Sequence, residues 1–209
     1  MKNYKKNLDL LTQNHVYSKE MEHDACGVGL IASTDGKKSR AIVEYGIQAL
    51  KAVWHRGAVD ADGKTGDGAG IHLEIPIDFF AEKIEIAGHK YNNSQICVGM
   101  VFLPKNDYSS QEKAKTVVES ELTNNNFFIY GWRQVPVNTK VLGNKAELTR
   151  PEITQVIFKP NNGLKNKELE RQLYTVRKKI EKKSLKLQLK DFYICSFSSN
   201  SIIYKGMFL

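Results

Sequence analysis

The sequence predicts an α+β domain of ordinary size, and three observations support this fold class. The chain has 209 residues, enough for one domain, or for part of a larger one, with a real core. Its 41% hydrophobic and 26% charged residues are typical of a globular protein and not of a disordered or fibrous one. Strand-like apolar runs are interspersed with segments whose apolar residues recur at helical spacing.

Composition and the N-terminal residues exclude several classes of protein. No run of eighteen apolar residues occurs, which excludes a membrane span. Residues 1–25 contain four lysines and four acidic residues without the apolar core of a secretory signal, and they predict a loosely held leader. We therefore expect a cytoplasmic protein, or a plastid protein if the source is a eukaryote. The three cysteines are too few and too widely spaced for a disulfide framework or a zinc site.

The elements of the first half follow from the spacing of apolar residues. Residues 26–32 form a glycine-spaced apolar run that predicts a buried strand, and residues 34–38 predict a turn. Residues 42–53 have apolar positions at helical spacing and predict a helix. A glycine-rich loop at residues 57–70 leads to alternating apolar residues at 71–75, which predict a half-buried strand.

The second half predicts more strands and a helix between them. Ser109 with Glu112 forms a capping-box signature, which predicts a helix continuing to about Leu122. Three continuous apolar or β-rich runs predict strands: residues 96–103, 127–134 and 155–159.

The last part of the sequence predicts a β-hairpin. Two apolar, β-rich runs at residues 192–197 and 202–209 flank the polar residues 198–201. The second run ends the sequence on its most apolar residues, so we expect the domain to be truncated at this end.

The net charge of +8 is concentrated in one segment. Between Lys159 and Lys190, eleven Lys and Arg residues oppose three Asp and Glu residues. Apolar residues at helical spacing in this segment predict a helix with one apolar face and a basic outer face: Leu169, Leu173, Val176 and Ile180. Such charge runs usually form solvated surface, and a docking face for an acidic partner is the alternative. Nucleic-acid binding is disfavoured because we expect no aromatic residues interleaved on the basic face.

The glycine-rich loop does not match the known phosphate or calcium motifs. A P-loop needs glycine where Ala58 stands, and a dinucleotide fingerprint needs a strand before the loop and a helix after it. Lys64 and Thr65 stand where an EF-hand needs a third acidic residue and its turn glycine. Neither nucleotide nor calcium binding is predicted here.

Cys26, His55 and Arg56 are candidate functional residues, but each of them also has a purely structural interpretation. From composition alone, a free cysteine is usually a packed small hydrophobe, and cations suit a helix C-terminus. Cys97 and Cys195 lie inside apolar strands and are predicted to be core residues.

Five stretches of sequence together carry a resemblance to a known family. They are Asp-Ala-Cys-Gly-Val-Gly-Leu-Ile-Ala at residues 24–32, His-Arg-Gly-Ala at 55–58, Ala-Asp-Gly-Lys-Thr-Gly-Asp-Gly at 61–68, Gly-Trp-Arg-Gln-Val-Pro at 131–136 and Tyr-Lys-Gly-Met at 204–207. In this order they resemble the class II glutamine amidotransferase domain of glutamate synthase large subunits. The block at residues 61–68 is specific to that enzyme within the class.

The resemblance implies both a fold and a nucleophile. The fold is the N-terminal-nucleophile hydrolase sandwich, α+β with four αββα layers, in which two antiparallel sheets pack face to face with helices outside. Residues 26–209 would be part of the amidotransferase domain, and residues 1–25 a propeptide whose removal makes Cys26 the first residue. An α-amine pKa of about 7.7 to 8.0 and a thiol pKa of about 8.5 would then let the two groups exchange a proton at neutral pH. Cys26 is thereby implied as the catalytic nucleophile.

The resemblance also implies a substrate pocket and further components. Arg56 and Gly57 would support the pocket, with Thr65, Gly66 and Asp67 in its wall. L-glutamine is the implied substrate, and the released ammonia would pass to a synthase domain of the same polypeptide that aminates 2-oxoglutarate. FMN, an iron–sulfur cluster, a small reductase subunit, and electrons from NADPH or ferredoxin are implied for the complete protein, with no cofactor or metal in these residues.

Some features of the family do not occur in this sequence. Its arginine in a His-Gln-Arg-Phe-Ser-Thr-Asn stretch and its oxyanion-binding pair in His-Asn-Gly-Glu are absent, and Asn162-Gly163 has only turn chemistry. The segment alone is therefore expected to be almost inactive. Two other interpretations stay open: another class II amidotransferase, such as an amidophosphoribosyltransferase, or a non-catalytic basic module that binds RNA or an acidic partner.

Overall fold

The computed structural model describes residues 6–7, 9–10, 12–13, 27–54 and 57–207. They belong to two units, Met1–Leu30 and Ile31–Leu209. In the first unit, the described residues before residue 14 are helical and exposed.

The strand predicted at residues 26–32 is wrong for residues 27–32, and Cys26 lies outside the described residues. Residues 27–33 have no regular secondary structure, and Val28 and Leu30 are 94% and 90% exposed. An apolar run becomes a strand only when a neighbouring strand supplies hydrogen bonds, and residues 27–33 take part in none of the strand pairings of the described part. The turn that follows is confirmed, since the Gly36 amide donates to the Ser33 carbonyl oxygen at 3.4 Å.

The second unit contains helices and strands in mixed order. They are α1 (Arg40–Ala52), β1 (Ala69–Glu74), α2 (Ile77–Ile86), β2 (Cys97–Leu103), α3 (Tyr108–Asn124), β3 (Phe127–Gln134), a 3₁₀ turn (Thr139–Val141), α4 (Asn144–Thr149), β4 (Glu152–Pro160), α5 (Asn166–Lys186), β5 (Tyr193–Ser198) and β6 (Ser201–Gly206).

Most predicted elements are confirmed, whereas α2 and α4 were not predicted. The signals for α2 are Pro76 immediately before it, Asp78 in its first turn and two buried residues one turn apart, Phe80 and Ile84. The predicted cap of α3 is wrong by two residues. Its N-cap is Asp107, whose carboxylate accepts from the Ser110 amide at 3.0 Å.

The larger sheet has four antiparallel strands in the order β3-β4-β2-β5. Helices α3 and α5 pack on one face and form what we call the helix-side core, which includes Val101, Val118, Phe158, Leu173 and Phe197. Gly99 in β2 allows this packing, because a Cβ there would lie 2.7 Å from both the Phe197 ring and Val156. The two central strands, β2 and β4, are buried over most of their length because both of their faces are covered, and β2 is a continuous apolar run.

The smaller sheet pairs β1 with β6 in antiparallel register. Its residues join α2 against the other face of the larger sheet in an inter-sheet core, which includes Ile75, Phe80, Met100, Ile157 and Ile202. Half-burial of β1 is confirmed by its strict alternation of half-buried and exposed residues. Two antiparallel sheets with helices confirm the α+β class and agree with the expected sandwich.

The hairpin predicted at residues 192–209 is wrong, although both of its strands exist. β5 pairs with β2 in the larger sheet, while β6 pairs with β1 in the smaller one. Side chains link the two strands where they cross: the Ile203 amide donates to the Ser196 hydroxyl at 3.2 Å, and the Cys195 thiol lies 3.6 Å from the Ile203 carbonyl oxygen. The β5–β6 connection therefore carries the chain from one sheet to the other.

Glu170 of α5 holds this connection in place. Its carboxylate accepts from the Ser199 amide and the Ser199 hydroxyl, both at 2.7 Å, and from the Ser198 hydroxyl at 3.0 Å. Ser199 is only 4% exposed, so its polar groups depend on this partner.

We expect Glu170→Ala to destabilise the β5–β6 connection by roughly 1 to 3 kcal/mol, because it leaves a buried amide and hydroxyl without an acceptor. Glu170→Gln keeps one acceptor oxygen and should cost less. Hydrogen exchange of the residue 196–204 amides in the full-length gene product would measure both effects. Equal protection in Glu170→Ala and the wild type would contradict this role.

The basic helix α5 is confirmed, with a buried apolar face formed by Leu169, Leu173, Val176 and Ile180. The expectation that its outer face has no aromatic residue is wrong. Tyr174 is 62% exposed, and the Lys178 ammonium lies 5.8 Å from the centre of its ring. Tyr174 is not one of the four residues that predicted the buried face, so the sequence already contained a signal for its exposure.

Candidate functional site

Residues 58–67 of the glycine-rich loop form a small antiparallel hairpin. Val59 and Gly66 pair as an isolated bridge. On either side of it, the Asp60 amide donates to the Thr65 carbonyl oxygen at 2.9 Å, and the Asp67 amide to the Ala58 carbonyl oxygen at 3.2 Å. The Gly57 amide donates to the Trp54 carbonyl oxygen at 2.9 Å, which ties the base of the loop to a residue two positions after the end of α1. The loop is therefore an ordered element with a base at Gly57 and a tip at residues 60–65.

Asp62 organises the tip of this hairpin. Its carboxylate accepts from the Thr65 hydroxyl at 2.6 Å, the Thr65 amide at 2.7 Å and the Lys64 amide at 2.9 Å. The hydrogen bond from the Thr65 hydroxyl is the largest reason that the pKa of the Asp62 carboxyl lies well below its usual range. The carboxylate is thus ionised at neutral pH, and it accepts several charge-assisted hydrogen bonds.

The tip lies against α4 and the residue before it. The Ala146 amide donates to the Thr65 hydroxyl oxygen at 3.3 Å. Lys145 Nζ also forms an ion pair of 2.6 Å with Asp60. Its hydrogen bond raises the pKa of Lys145 and lowers that of Asp60. Gly143, the N-cap residue, has no side chain to cap this helix, so the Thr65 hydroxyl supplies one of the missing N-terminal partners from a distant part of the chain.

The structure gathers four of the six predicted site residues on this loop. Thr65 is only 3% exposed and Gly66 is buried, while Gly57 is half-buried and Asp67 is exposed. Cys26 and Arg56 lie outside the described residues, so their predicted roles stay predictions.

Sequence reasoning missed α4 and therefore missed Gly143 and Lys145 as neighbours of the loop. A signal was present, because the turn pair Gly143-Asn144 is followed directly by helix-forming residues. However, α4 has only six residues, which are too few to establish a helical period in the sequence.

The other two cysteines are core residues, as predicted. Cys97 belongs to the helix-side core and Cys195 to the inter-sheet core. Burial raises the pKa of both thiols, which keeps them protonated and poorly nucleophilic.

The side chains of the motif Gly131-Trp132-Arg133 contact neighbouring helices and strands, and none of them is a nucleophile. Trp132 Nε1 donates to a Glu119 carboxylate oxygen at 2.7 Å on α3. Arg133 points to the other side of the sheet, where it donates to the Gln155 amide oxygen at 2.8 Å. Gln155 is completely buried and donates in turn to the Tyr204 hydroxyl at 3.1 Å. Arg133 of β3 and Tyr204 of β6, which both belong to the sequence motifs, are thus linked through Gln155 of β4.

One cleft of the second unit is lined by no residue of the glycine-rich loop. It lies between α2 and β3, with Lys83, Ile86, Tyr130 and Arg133 among its lining residues, and it contains no predicted site residue. Within residues 6–54 and 57–207, as far as they are described, no group of three His, Cys, Asp or Glu side chains could hold a metal ion. Among the helices of that same part, none combines the length and the apolar character that a membrane span requires.

Comparisons with known proteins identify relatives of the whole segment. The chain is 52% identical over 206 residues to the glutamate synthase [NADPH] large chain of Azospirillum brasilense, covering 99% of this chain and 14% of that protein. It is 41% identical over 203 residues to the ferredoxin-dependent glutamate synthase of Pyropia yezoensis, covering 95% of this chain and 13% of that protein. The chloroplastic ferredoxin-dependent glutamate synthase of Spinacia oleracea is 40% identical over 188 residues, covering 89% of this chain and 12% of that protein. The chain thus spans between 12% and 14% of the length of these relatives.

The family comparison covers everything after the predicted leader. The model described as glutamine amidotransferases class-II matches residues 26–209, which include the hairpin loop, both sheets and the motifs at residues 131–136 and 204–207. With this match over most of its length, the chain belongs to the class II glutamine amidotransferases.

Proposed function

We propose that this segment hydrolyses L-glutamine to glutamate and ammonia within a glutamate synthase. The ammonia would pass to a synthase domain of the same polypeptide and aminate 2-oxoglutarate there. One observation carries this proposal: the family match begins at Cys26, the residue that needs a free α-amine to act as nucleophile. That its relatives are named glutamate synthases, with NADPH or with ferredoxin in their names, favours this enzyme over an amidophosphoribosyltransferase.

Cleavage of the bond between Ala25 and Cys26 would give the thiol its base. The liberated α-amine takes the thiol proton, and the thiolate attacks the side-chain amide carbon of glutamine. The tetrahedral intermediate collapses when the C–N bond breaks and the nitrogen takes the proton from the ammonium group, so ammonia leaves. Water then attacks the thioester carbonyl, releasing glutamate and restoring the thiol.

We assign Arg56 and Gly57 to the support of the glutamine pocket. Arg56 offers a planar guanidinium with five N–H donors, which suits a carboxylate or an oxyanion. The wall of the pocket is assigned to Thr65, Gly66 and Asp67. Of these three residues, Asp67 is the exposed one.

The redox groups of a glutamate synthase would be held outside this segment. An iron–sulfur cluster needs several cysteine thiolates, whereas Cys97 and Cys195 are buried in separate cores. FMN and the cluster, with electrons from NADPH or ferredoxin and any small reductase subunit, therefore belong in our proposal to the remainder of the polypeptide and its partners. A plastid location is proposed only for a eukaryotic source, since the spinach relative is named chloroplastic.

Mass spectrometry of the purified full-length gene product tests the proposal. We expect an N-terminus at Cys26 and glutamine hydrolysis by the same preparation. A preparation that retains residues 2–25 and still hydrolyses glutamine at full rate would overturn the role of the α-amine. A basic module that binds RNA or an acidic partner would retain those residues and release no ammonia.

A further inference from the structure

We propose that Asp62 and Thr65 are positioning residues for glutamine hydrolysis, which lock the tip of the hairpin loop onto residues 143–146. This inference rests on the proposed function, and within the proposed pocket wall it assigns the Thr65 hydroxyl the role of holding the wall in place rather than of contacting glutamine.

The Thr65 hydroxyl is already committed on both sides. It donates its single proton to the Asp62 carboxylate at 2.6 Å, since a carboxylate can only accept, and its oxygen accepts from the Ala146 amide at 3.3 Å. With 3% of the residue exposed, neither bond can be exchanged for water or substrate without opening this contact. The hydroxyl therefore holds the tip of the loop against residues 143–146.

The backbone at Gly143 fits closely around this pair. A Cβ at Gly143 would lie 2.5 Å from the Thr65 amide nitrogen, and it would also collide with the side chains of Asp62 and Thr65. The φ of Gly143 is −73°, a value that any residue adopts, so glycine is required here by the close approach alone. The lock thus has two independent parts. One is the hydrogen-bonded pair of Asp62 and Thr65 on the loop, and the other is glycine at position 143, which leaves room for that pair.

The ion pair between Lys145 and Asp60 adds little to this lock. The Lys145 side chain is 67% exposed and that of Asp60 34%, and exposed pairs of this kind contribute little because solvent screens them. Asp62, Thr65 and Gly143 are the residues on which the position of the tip depends.

The hairpin connects the locked tip to the base of the loop. Pairing of Asp60 with Thr65, Val59 with Gly66 and Ala58 with Asp67 makes residues 58–67 move as one element. That element directly follows Gly57, the residue after Arg56. A loosened tip would let Gly57, Gly66 and Asp67 shift together, and a displacement of about 1 Å in a site can reduce turnover by as much as about 10²-fold.

Thr65→Val in the full-length gene product is the most direct test. Valine keeps the shape and removes both hydrogen bonds. We expect glutamine-dependent kcat/KM to fall by about 10- to 100-fold. Synthesis driven by free ammonium should stay unchanged, because it bypasses the glutamine site. Thr65→Ser restores the hydroxyl and should recover most of the lost activity, which a loss of packing alone would not allow.

Thr154→Val is the matched control. Thr154 is also buried, at 7% exposure, and its hydroxyl donates to the Val101 carbonyl oxygen at 3.2 Å inside the sheet, so the same substitution removes a hydrogen bond far from the loop in the chain. It should leave glutamine-dependent kcat/KM within about 3-fold of the wild type, since it displaces nothing in the loop. Gly143→Ala tests the lock from the opposite side and should lower kcat/KM to a similar extent. It also provides the test if Thr65→Val fails to fold.

Hydrogen exchange of residues 57–68 separates the possible results. Faster exchange together with reduced kcat/KM in Thr65→Val or Gly143→Ala, but not in Thr154→Val, supports the inference. Wild-type kcat/KM in both lock variants overturns it, as does an equal loss in Thr154→Val or no recovery in Thr65→Ser. If the wild-type protein releases no ammonia from glutamine, the proposed function itself fails, which is a different result.

Discussion

Replacing Cys26 with alanine in the full-length gene product should lower glutamine-dependent glutamate formation by at least about 10³-fold, because no other group can form the thioester. The two other thiols cannot substitute for it, since burial raises their pKa and keeps them protonated inside the cores. Synthesis from free ammonium should continue in this variant. The measurement is glutamate formation with glutamine or ammonium as the nitrogen donor, at matched protein concentration.

Cys195→Ala is the control for this substitution. It removes the same atoms from a residue that is 5% exposed, and it should leave glutamine-dependent kcat/KM unchanged. Substantial glutamine-dependent turnover in Cys26→Ala would contradict the proposed nucleophile. An equal loss in Cys195→Ala would point to a general effect of cysteine removal.

Phe158→Ala should be the most destabilising of the substitutions considered, at about 3 to 5 kcal/mol. Phe158 is completely buried in β4, with ring centres 5.4 Å from Phe127 and 5.0 Å from Phe197, so its loss opens a cavity between the larger sheet and its helices. Hydrogen-exchange protection of the β2 and β4 amides in the full-length gene product should fall accordingly.

Phe128→Ala provides the matched comparison on the edge strand β3. Phe128 is 39% exposed, and its ring contacts those of His89 and Tyr130, so we expect a cost of about 1 kcal/mol or less. Similar losses of protection in the two variants would show that the helix-side core does not depend on Phe158 as described.

The spacing of apolar residues along the sequence correctly predicted the elements that bury a single face. The apolar residues of α5 recur every three or four positions, and all four that predicted its buried face are inaccessible to solvent. β1 alternates as its sequence predicts, because one side faces the core. In contrast, the apolar run at residues 27–32 has strand-like composition but no strand pairing among the described residues, and composition alone cannot supply that partner.

Strand pairing and the loop lock could not be predicted because both depend on distant residues. β5 and β6 have the local composition of a hairpin, yet their partners β2 and β1 lie far earlier in the chain. The partner of Thr65 is Ala146, 81 residues later, in a helix too short to show a period. The importance of Cys26 came from the resemblance of its neighbours to a family, since a lone cysteine carries no such signal.

Pairing between β1 and β6 has a consequence for biosynthesis, because about 130 residues separate the paired positions and such distant pairing forms slowly. At translation rates of about 5 to 20 residues per second, β1 leaves the ribosome several seconds or more before β6. The nascent chain must therefore keep the β1 edge unpaired while the larger sheet is still being completed. A chaperone that shields extended segments would act most usefully in this interval, and slowing translation between the two strands would lengthen it.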